Sequence, residues 1–590
     1  MSHRPVAWLL RRHAGGVAVA VAIGVVSPWL GALPVRAIPS VVAMASGVAA
    51  PPPAELTVVL GATPSLEAVL AALVVAGALS FALALVATRH AAALGARALL
   101  DLRDEVLRRA LARPPDWLRE AGRAAMVKNA LLAQCRVVSS YAVGTVPAAV
   151  GVASAVVIWS QALGEAMARG ASGTTAAAVV GAVVATLIAA NLAAVWLTAK
   201  KSEASQRAVL ADSSAYVVGV NESIDHLATV QLAGARDAQR TRVGAIASRI
   251  ATSEVRVATW SGLAGAASGG LVLLAVPLLV VAWRGLGLAG ASLAVMVPAL
   301  LMLQRAISGV GSLWTNHRVS RPAIELVAGL LAPTPALVEG GARPAVTGAL
   351  AFRGVRWQLG DRTVLDAVDL EIGHGEAVAI VGAGGSGKST LLRMAVRLVE
   401  PTAGTIALDG ADVAGVEIDH LRRRVAMLEQ HPALFDRPLR ANLVLDDREV
   451  TAARLDEVVR ATQLDEVVAR LPDGLDTRLA GGGALSGSER RRVALARVLL
   501  ADPDVVLIDE LEAGLPQAQA EALLASVRRA TAGKTCVMVT HRPDLLDADR
   551  VAFLDGGRIV DQGRHADLVA RNDAYRSLLS RAEREQGETP

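Results

Sequence analysis

Six stretches of this 590-residue chain contain no Asp, Glu, Lys or Arg: 14–35, 68–88, 141–162, 174–199, 257–283 and 285–304. A helix of about 20 residues crosses the ~30 Å hydrocarbon layer of a membrane. Buried helices of soluble proteins normally keep a polar stripe, and these stretches have none. Each therefore reads as a spanning helix. The last two are separated only by Arg284 and read as a tight hairpin. The first follows MSHRPVAWLLRRH, which is like the charged start of a signal peptide. The apolar run behind it is too long for a signal peptide and lacks a small-residue cleavage site, so it is expected to stay as the first span.

Loop charges give an orientation. Residues 37–67 hold no Lys or Arg, 89–140 hold ten, 163–173 hold only Arg169, and 200–256 hold eight. Basic loops stay on the cytoplasmic side, so both termini are expected there, in a plasma membrane. The net charge of +5 is explained by this pattern. The basic residues have no interleaved aromatics, so no nucleic-acid partner is implied. Cys135 and Cys536 fall in segments read as cytoplasmic, where a structural disulfide is not expected.

The hydrophobic half, residues 1–330, is followed by a Pro/Gly-rich linker over 331–348. From 349 to 580 short β-rich runs such as AVAIVG and DVVLID alternate with helical patterns, the mark of a soluble α/β domain. Residues 581–590 form a polar tail. Within the membrane half, 92–112 and 201–256 carry apolar residues at helical spacing. They are expected to extend the spans into the cytoplasm and to transmit force between the halves.

GAGGSGKS, Gly382–Ser389, matches the G-x-x-x-x-G-K-[ST] phosphate loop, with an apolar strand before it and a helical run after it. Backbone N–H groups of Gly382, Gly384, Gly385, Ser386 and Gly387 would wrap a phosphate, with Thr390 in the first helical turn. Lys388 would neutralise the β and γ phosphates, and Ser389 would hold Mg²⁺. VVLIDE, Val505–Glu510, is an apolar strand ending in two acids. Asp509 would hold Mg²⁺, and Glu510 would polarise the attacking water.

With these motifs the chain resembles the ATP-binding cassette family over nearly its whole length. The resemblance implies six transmembrane helices of the exporter type fused to an α/β P-loop cassette, with ATP and Mg²⁺ as cofactors. It further implies that LEQHPALFDRPLRANL, residues 428–443, is the glutamine loop, with Gln430 contacting Mg²⁺ and water. VMVTHRP, residues 537–543, is similar to the switch-histidine strand, so His541 would contact the γ-phosphate. LSGSE, Leu485–Glu489, falls where the family has LSGGQ. In that family two chains sandwich two ATPs, each held by one chain's phosphate loop and the other chain's signature.

The departures from the family pattern are selective. Ser486 and Gly487 are kept, but Ser488 replaces a glycine, adding a Cβ at a place that can need glycine dihedrals. Glu489 adds a charge near the phosphates; unit charges ~8 Å apart repel by about 2 kcal/mol at an effective dielectric of ~20. The family's SALD reads AGLP at 513–516, so Pro516 replaces an aspartate. The acid usual before the signature is missing from LAGGGA, residues 479–484. The adenine-stacking aromatic aligns at Leu359, and Trp357, two residues away on a strand, is expected to stack instead.

Everything the chain offers its own ATP is therefore expected intact: Lys388, Ser389, Gln430, Asp509, Glu510 and His541. The altered parts, signature and D-loop, are those it offers its partner's ATP. The expectation is a competent half of a heterodimeric exporter whose partner has an intact signature. A homodimeric exporter, a siderophore-type importer on the same fold and a non-pumping ATP-binding regulatory subunit are the other readings. The spans are apolar, with Asn191, Gln161 and Gln304 inside and Arg305 and Glu165 near their ends, so a hydrophobic or amphipathic compound, peptide or lipid is the expected substrate.

Overall fold

The computed structural model describes residues 5–47, 54–61, 64–119, 122–170, 174–285, 290–332, 340–360, 362–445, 449–479, 485–513 and 515–587. The chain divides into two compact units, Met1–Arg113 with Trp117–Thr334, and Pro335–Pro590 with Pro114–Asp116.

The first unit is helical. Its long helices among the described residues are α1 (Ala14–Ala45), α2 (Leu66–Leu111), α3 (Cys135–Gly170), α4 (Thr174–Asp225), α5 (Arg236–Gly285) and α6 (Gly290–Leu331). The expected spans 14–35, 68–88, 141–162, 174–199 and 257–283 fall within α1 to α5, and residues 290–304 of the sixth fall within α6. α1 packs on α2, α3 on α6, and α4 on α5.

α2 shows why one helix serves two solvents. Below Arg89 it presents Val74, Val75, Leu79, Phe81, Leu85 and Val86 outward, as lipid requires. Beyond Arg89 it buries Leu94, Ala98, Leu102, Val106 and Ala110, one residue per turn. Charged residues then occupy the other faces, the ordinary pattern of an amphipathic helix in water. The helical extension expected over 92–112 is therefore continuous with the span. The one expected over 201–256 is interrupted between α4 and α5 at residues 226–235, which include the short helix Leu227–Leu232.

The second unit holds two sheets. One has the order β2-β1-β4-β5, from Leu350–Leu359 (β1), Arg362–Ile372 (β2), Ala403–Leu408 (β4) and Ala411–Asp412 (β5), and is antiparallel. The other has the order β10-β9-β3-β8-β7-β6. Its strands are Ala377–Val381 (β3), Val425–Leu428 (β6), Val505–Asp509 (β7), Thr535–Val539 (β8), Arg550–Asp555 (β9) and Arg558–Gly563 (β10). All its pairings are parallel except β9–β10. Every residue of β3, β7 and β8 is buried. That explains their unbroken apolar runs, because a parallel sheet covered on both faces has no polar side. One core cluster contains Ala379, Ile508 and Met538; the other contains Ile380, Leu507 and Val537.

Asp409, at φ +48, ties the start of β1 to the end of β4. Its carboxylate accepts from Thr347 N and Oγ1 at 2.6 Å and from Gly348 N and Ala349 N at 2.9 Å. Burial alone would raise the carboxyl's pKa, but the Thr347 hydroxyl and the three backbone donors outweigh it and hold the pKa below the usual range. This stabilisation is complete above the ordinary carboxylate pKa and is lost as pH falls through the lowered value. Asp409→Ala is expected to cost about 1.5–3 kcal/mol at pH 7, and less as the buffer approaches pH 3, by thermal unfolding of the full chain.

Candidate nucleotide site

The register of the six-stranded sheet brings the expected site residues to one edge. Ile380 pairs with Val539 and Asp509 pairs with Val539, so β3, β7 and β8 end level with one another. The loop Gly382–Gly387, the Asp509–Glu510 pair and Thr540–His541 follow directly. Ligands of open α/β sheets bind at this carboxyl edge.

The phosphate loop is shaped by its glycines. A Cβ on Gly382 would lie 2.2 Å from the Leu554 carbonyl oxygen. Gly387 sits at φ +101, where a Cβ would also meet Leu365 Cδ2 at 2.5 Å. Gly384 has open space in the Cβ direction. Helix α7, Lys388–Ala395, begins directly after the loop with its N-terminus toward it. Lys388 Nζ donates to the carbonyls of Gly382 (2.8 Å) and Ala383 (2.9 Å), curling over the loop. Burial lowers its pKa, while Glu510 and Asp509 oppose that shift.

Ser389 Oγ donates to Asp509 Oδ1 at 3.0 Å. Asp509 is fully buried, and its Oδ2 has no hydrogen-bond partner among the described residues. Burial pushes this carboxyl up. Hard oxygen donors on a serine and a buried aspartate, one oxygen still unmatched, fit Mg²⁺. Ser389 and Asp509 would hold it, with Gln430 close by through Glu510.

Glu510 is the centre of the polar cluster. Its φ is +50, a left-handed conformation uncommon for a non-glycine residue, held by its N–H bonding the Val539 carbonyl at 3.0 Å. Its Oε1 lies 3.0 Å from His541 Nε2, and its Oε2 accepts from Gln430 Nε2. The His541 contact holds its carboxyl below the usual range against the effect of burial. Four residues expected on sequence grounds, Lys388, Gln430, Glu510 and His541, thus converge with Ser389 and Asp509.

The signature behaves differently from the sequence reading. Ser486 is the N-cap of helix α8, Gly487–Leu500. Glu489 is the third helical residue, and the two form a capping box. Ser486 N donates to Glu489 Oε2 at 2.7 Å, and Glu489 N donates to Ser486 Oγ at 3.2 Å. Arg470 pairs with the other Glu489 oxygen. Burial raises the Glu489 pKa, but Ser486 and Arg470 outweigh it and keep the carboxyl low. The expected free charge facing the phosphates is therefore neutralised locally. Ser488 has ordinary helical dihedrals, so the strain expected of it is absent. Its effect is the added side chain, whose Oγ lies 3.1 Å from Ser486 Oγ. Pro516 is the N-cap of helix α9, Gln517–Ala530, with no side-chain acceptor to give. Residues 480–484 and Gly514 lie outside the described residues.

Trp357 is half-buried and packs on the core cluster of Leu350, Phe352 and Leu365, while Leu359 is exposed. Register shifts on both sides of Trp357 break the simple alternation on which the stacking inference rested. Glu512 was missed. It is 6% exposed and accepts from Thr540 Oγ1 and His541 N. The only sequence signal was a third acid in DELE.

In the helical unit a cavity of about 360 Å³ is lined by Leu192, Val195 and Trp196 of α4 and Val310, Gly311 and Trp314 of α6. Lys200 lies over the Trp196 ring and Arg318 over the Trp314 ring, at 5.8 and 5.1 Å. Asn191 is buried, and its Oδ1 has no partner among the described residues. Gln161 is exposed, and the side chains of Glu165, Gln304 and Arg305 lie outside the described residues.

Gly382→Ala is expected to weaken binding of a fluorescent ATP analogue by roughly tenfold or more, because the Leu554 carbonyl cannot yield as a side chain would. A titration of the full chain in lipid checks this.

Residues 365–513 match the family model described as ABC transporter. An ATP-dependent lipid A-core flippase of Cupriavidus metallidurans is 31% identical over 382 residues, covering 62% of this chain and 64% of the flippase. A mycobactin import ATP-binding/permease protein, IrtB, of Mycolicibacterium thermoresistibile is 38% identical over 246 residues, 41% of this chain and 42% of that protein. The chain thus spans a little under two thirds of the flippase's length. A bacterial Atm1-family ABC exporter with ATP bound superposes with a TM-score of 0.80 at 23% identity, over 97% of this chain and 98% of that one. This chain carries an ABC transporter domain, and it has the fold of an ABC exporter with membrane and nucleotide-binding parts fused.

Proposed function

We propose that this chain is the catalytically competent half of a heterodimeric ATP-driven exporter that moves a hydrophobic or amphipathic substrate by alternating access. The observation that carries the reading is the convergence of Lys388, Ser389, Asp509, Glu510, Gln430 and His541 at one sheet edge. Phosphoryl transfer needs positioning and charge stabilisation more than covalent chemistry. The loop N–H groups and Lys388 hold and neutralise the phosphates. Glu510 orients the attacking water and accepts its proton, with the His541 contact lowering the carboxyl's pKa further. Gln430 keeps Glu510 in place through its side-chain amide. His541 senses the γ-phosphate. Ser389 and Asp509 would hold Mg²⁺, which would neutralise charge on the transferring group.

The parts offered to a partner's ATP are weaker. Ser486 has its hydroxyl engaged by Glu489 N and Ser488 Oγ, and Pro516 offers no carboxylate. A partner with an intact signature completes the site on Glu510, while the partner's own nucleotide meets Ser488 and Pro516 and turns over slowly. The apolar cavity between α4 and α6 supports an apolar or amphipathic substrate. The basic loops, both termini and the ATP-binding domain are cytoplasmic and the membrane is the plasma membrane, a reading supported by the loop charges. The relative named for mycobactin import keeps inward transport as the second reading. Flux of a lipid-like probe into inside-out vesicles supports export, and flux out of them supports import.

In a complex with a partner half-transporter, Glu510→Gln is expected to reduce ATP hydrolysis by about 10²–10⁴-fold while leaving ATP binding within about twofold. Hydrolysis that survives Glu510→Gln places the competent site on the other chain.

A further inference from the structure

The turn after β8 carries His541, and a buried acid organises that turn. Glu512 is 6% exposed and Thr540 is fully buried. Glu512 Oε1 accepts both the Thr540 hydroxyl and the His541 backbone N–H, the latter at 3.1 Å. Thr540 Oγ1 in turn accepts the Arg542 N–H at 2.8 Å. One carboxyl oxygen thus holds the Thr540 side chain, the His541 backbone and, through the Thr540 hydroxyl, the Arg542 backbone. Glu510, two residues before Glu512, takes the His541 side chain at 3.0 Å. The histidine is therefore held at its backbone by one acid and at its ring by the other.

A buried carboxyl is an expensive way to build a turn. Removing it from water is unfavourable unless its oxygens are matched, and Glu512 Oε2 has no partner among the described residues. Burial accordingly pushes its pKa up, against the bonds from Thr540 and His541. A residue chosen for packing alone would be apolar here, among Leu511 and the β7–β8 core. What the carboxyl supplies is an acceptor long enough to reach across from β7 to two donors at the end of β8.

We propose that Glu512 is a positioning residue for the switch histidine: its Oε1 clamps the backbone at 540–542, so that His541 Nε2 stays within hydrogen-bond reach of Glu510. The catalytic part of this inference rests on the function proposed above; the clamp does not. The test uses the full chain in lipid, alone and with its partner. Amide exchange at His541, read on peptides covering 537–545, is expected to quicken roughly tenfold in Glu512→Ala. It stays near wild type in Glu512→Gln, whose amide oxygen still accepts. With the partner present, Glu512→Ala lowers kcat about 100-fold with KM for ATP within twofold, and Glu512→Gln restores most of the rate. Adding His541→Ala to Glu512→Ala then causes no further loss, because both act through one group.

Unchanged exchange in Glu512→Ala, or losses that add in the double variant, overturns the proposal. If Glu512→Ala does not fold, Thr540→Val removes one of the two donors to Oε1 and carries the same exchange and kcat tests. Absence of hydrolysis with any partner defeats the proposed function, while the exchange result still decides the clamp.

Discussion

Asp509 ends β7 level with Val539 of β8, and the hydroxyl of Ser389 reaches it at 3.0 Å from the first turn of α7. That contact joins the phosphate loop to the acid pair. It exists only because three buried parallel strands stop at the same height. Parallel register is set by which side chains go into which core, since a slip of one residue turns every side chain to the other face. The residues that fill the two clusters around β3, β7 and β8 therefore also fix where Lys388, Glu510 and His541 meet. Packing and chemistry are the same constraint seen from two ends.

The signature obeys a different constraint. Ser486 and Glu489 satisfy the first N–H groups of α8 within the chain itself, and Arg470 completes the arrangement. A helix that caps itself this way has less to offer a phosphate arriving from outside. Pro516 at the start of α9 works in the same direction by leaving that helix without a side-chain acceptor. Under the proposed function, Ser488, Pro516 and this self-capping together weaken what the chain offers a partner's nucleotide.

The long apolar helices were legible in the sequence because lipid excludes charge, and the extension of α2 was legible because its buried positions recur once per turn. The phosphate loop and the acid pair were legible because each is a local motif whose flanking strand or helix is visible beside it. Ser486 and Glu489 stand at capping-box spacing in the sequence, but there Glu489 was weighed as a charge before it was weighed as a hydrogen-bond partner. Glu512 could not be placed from the sequence, since its partners come from β8 and only the β7–β8 pairing brings them near. Trp357 shows the limit of the alternation rule: register shifts in β1 interrupt the period before it reaches Leu359.

The account turns on a division between what this chain gives its own nucleotide and what it gives its partner's. The most direct measurement is the ATP hydrolysis rate of the purified chain alone in lipid, wild type beside the double variant Ser488→Gly with Pro516→Asp. The account predicts a slow wild type and a rate raised at least roughly tenfold by the double variant, because the signature and D-loop then complete the competent site in each copy. A wild type that hydrolyses ATP briskly on its own, with no gain from the double variant, would contradict it.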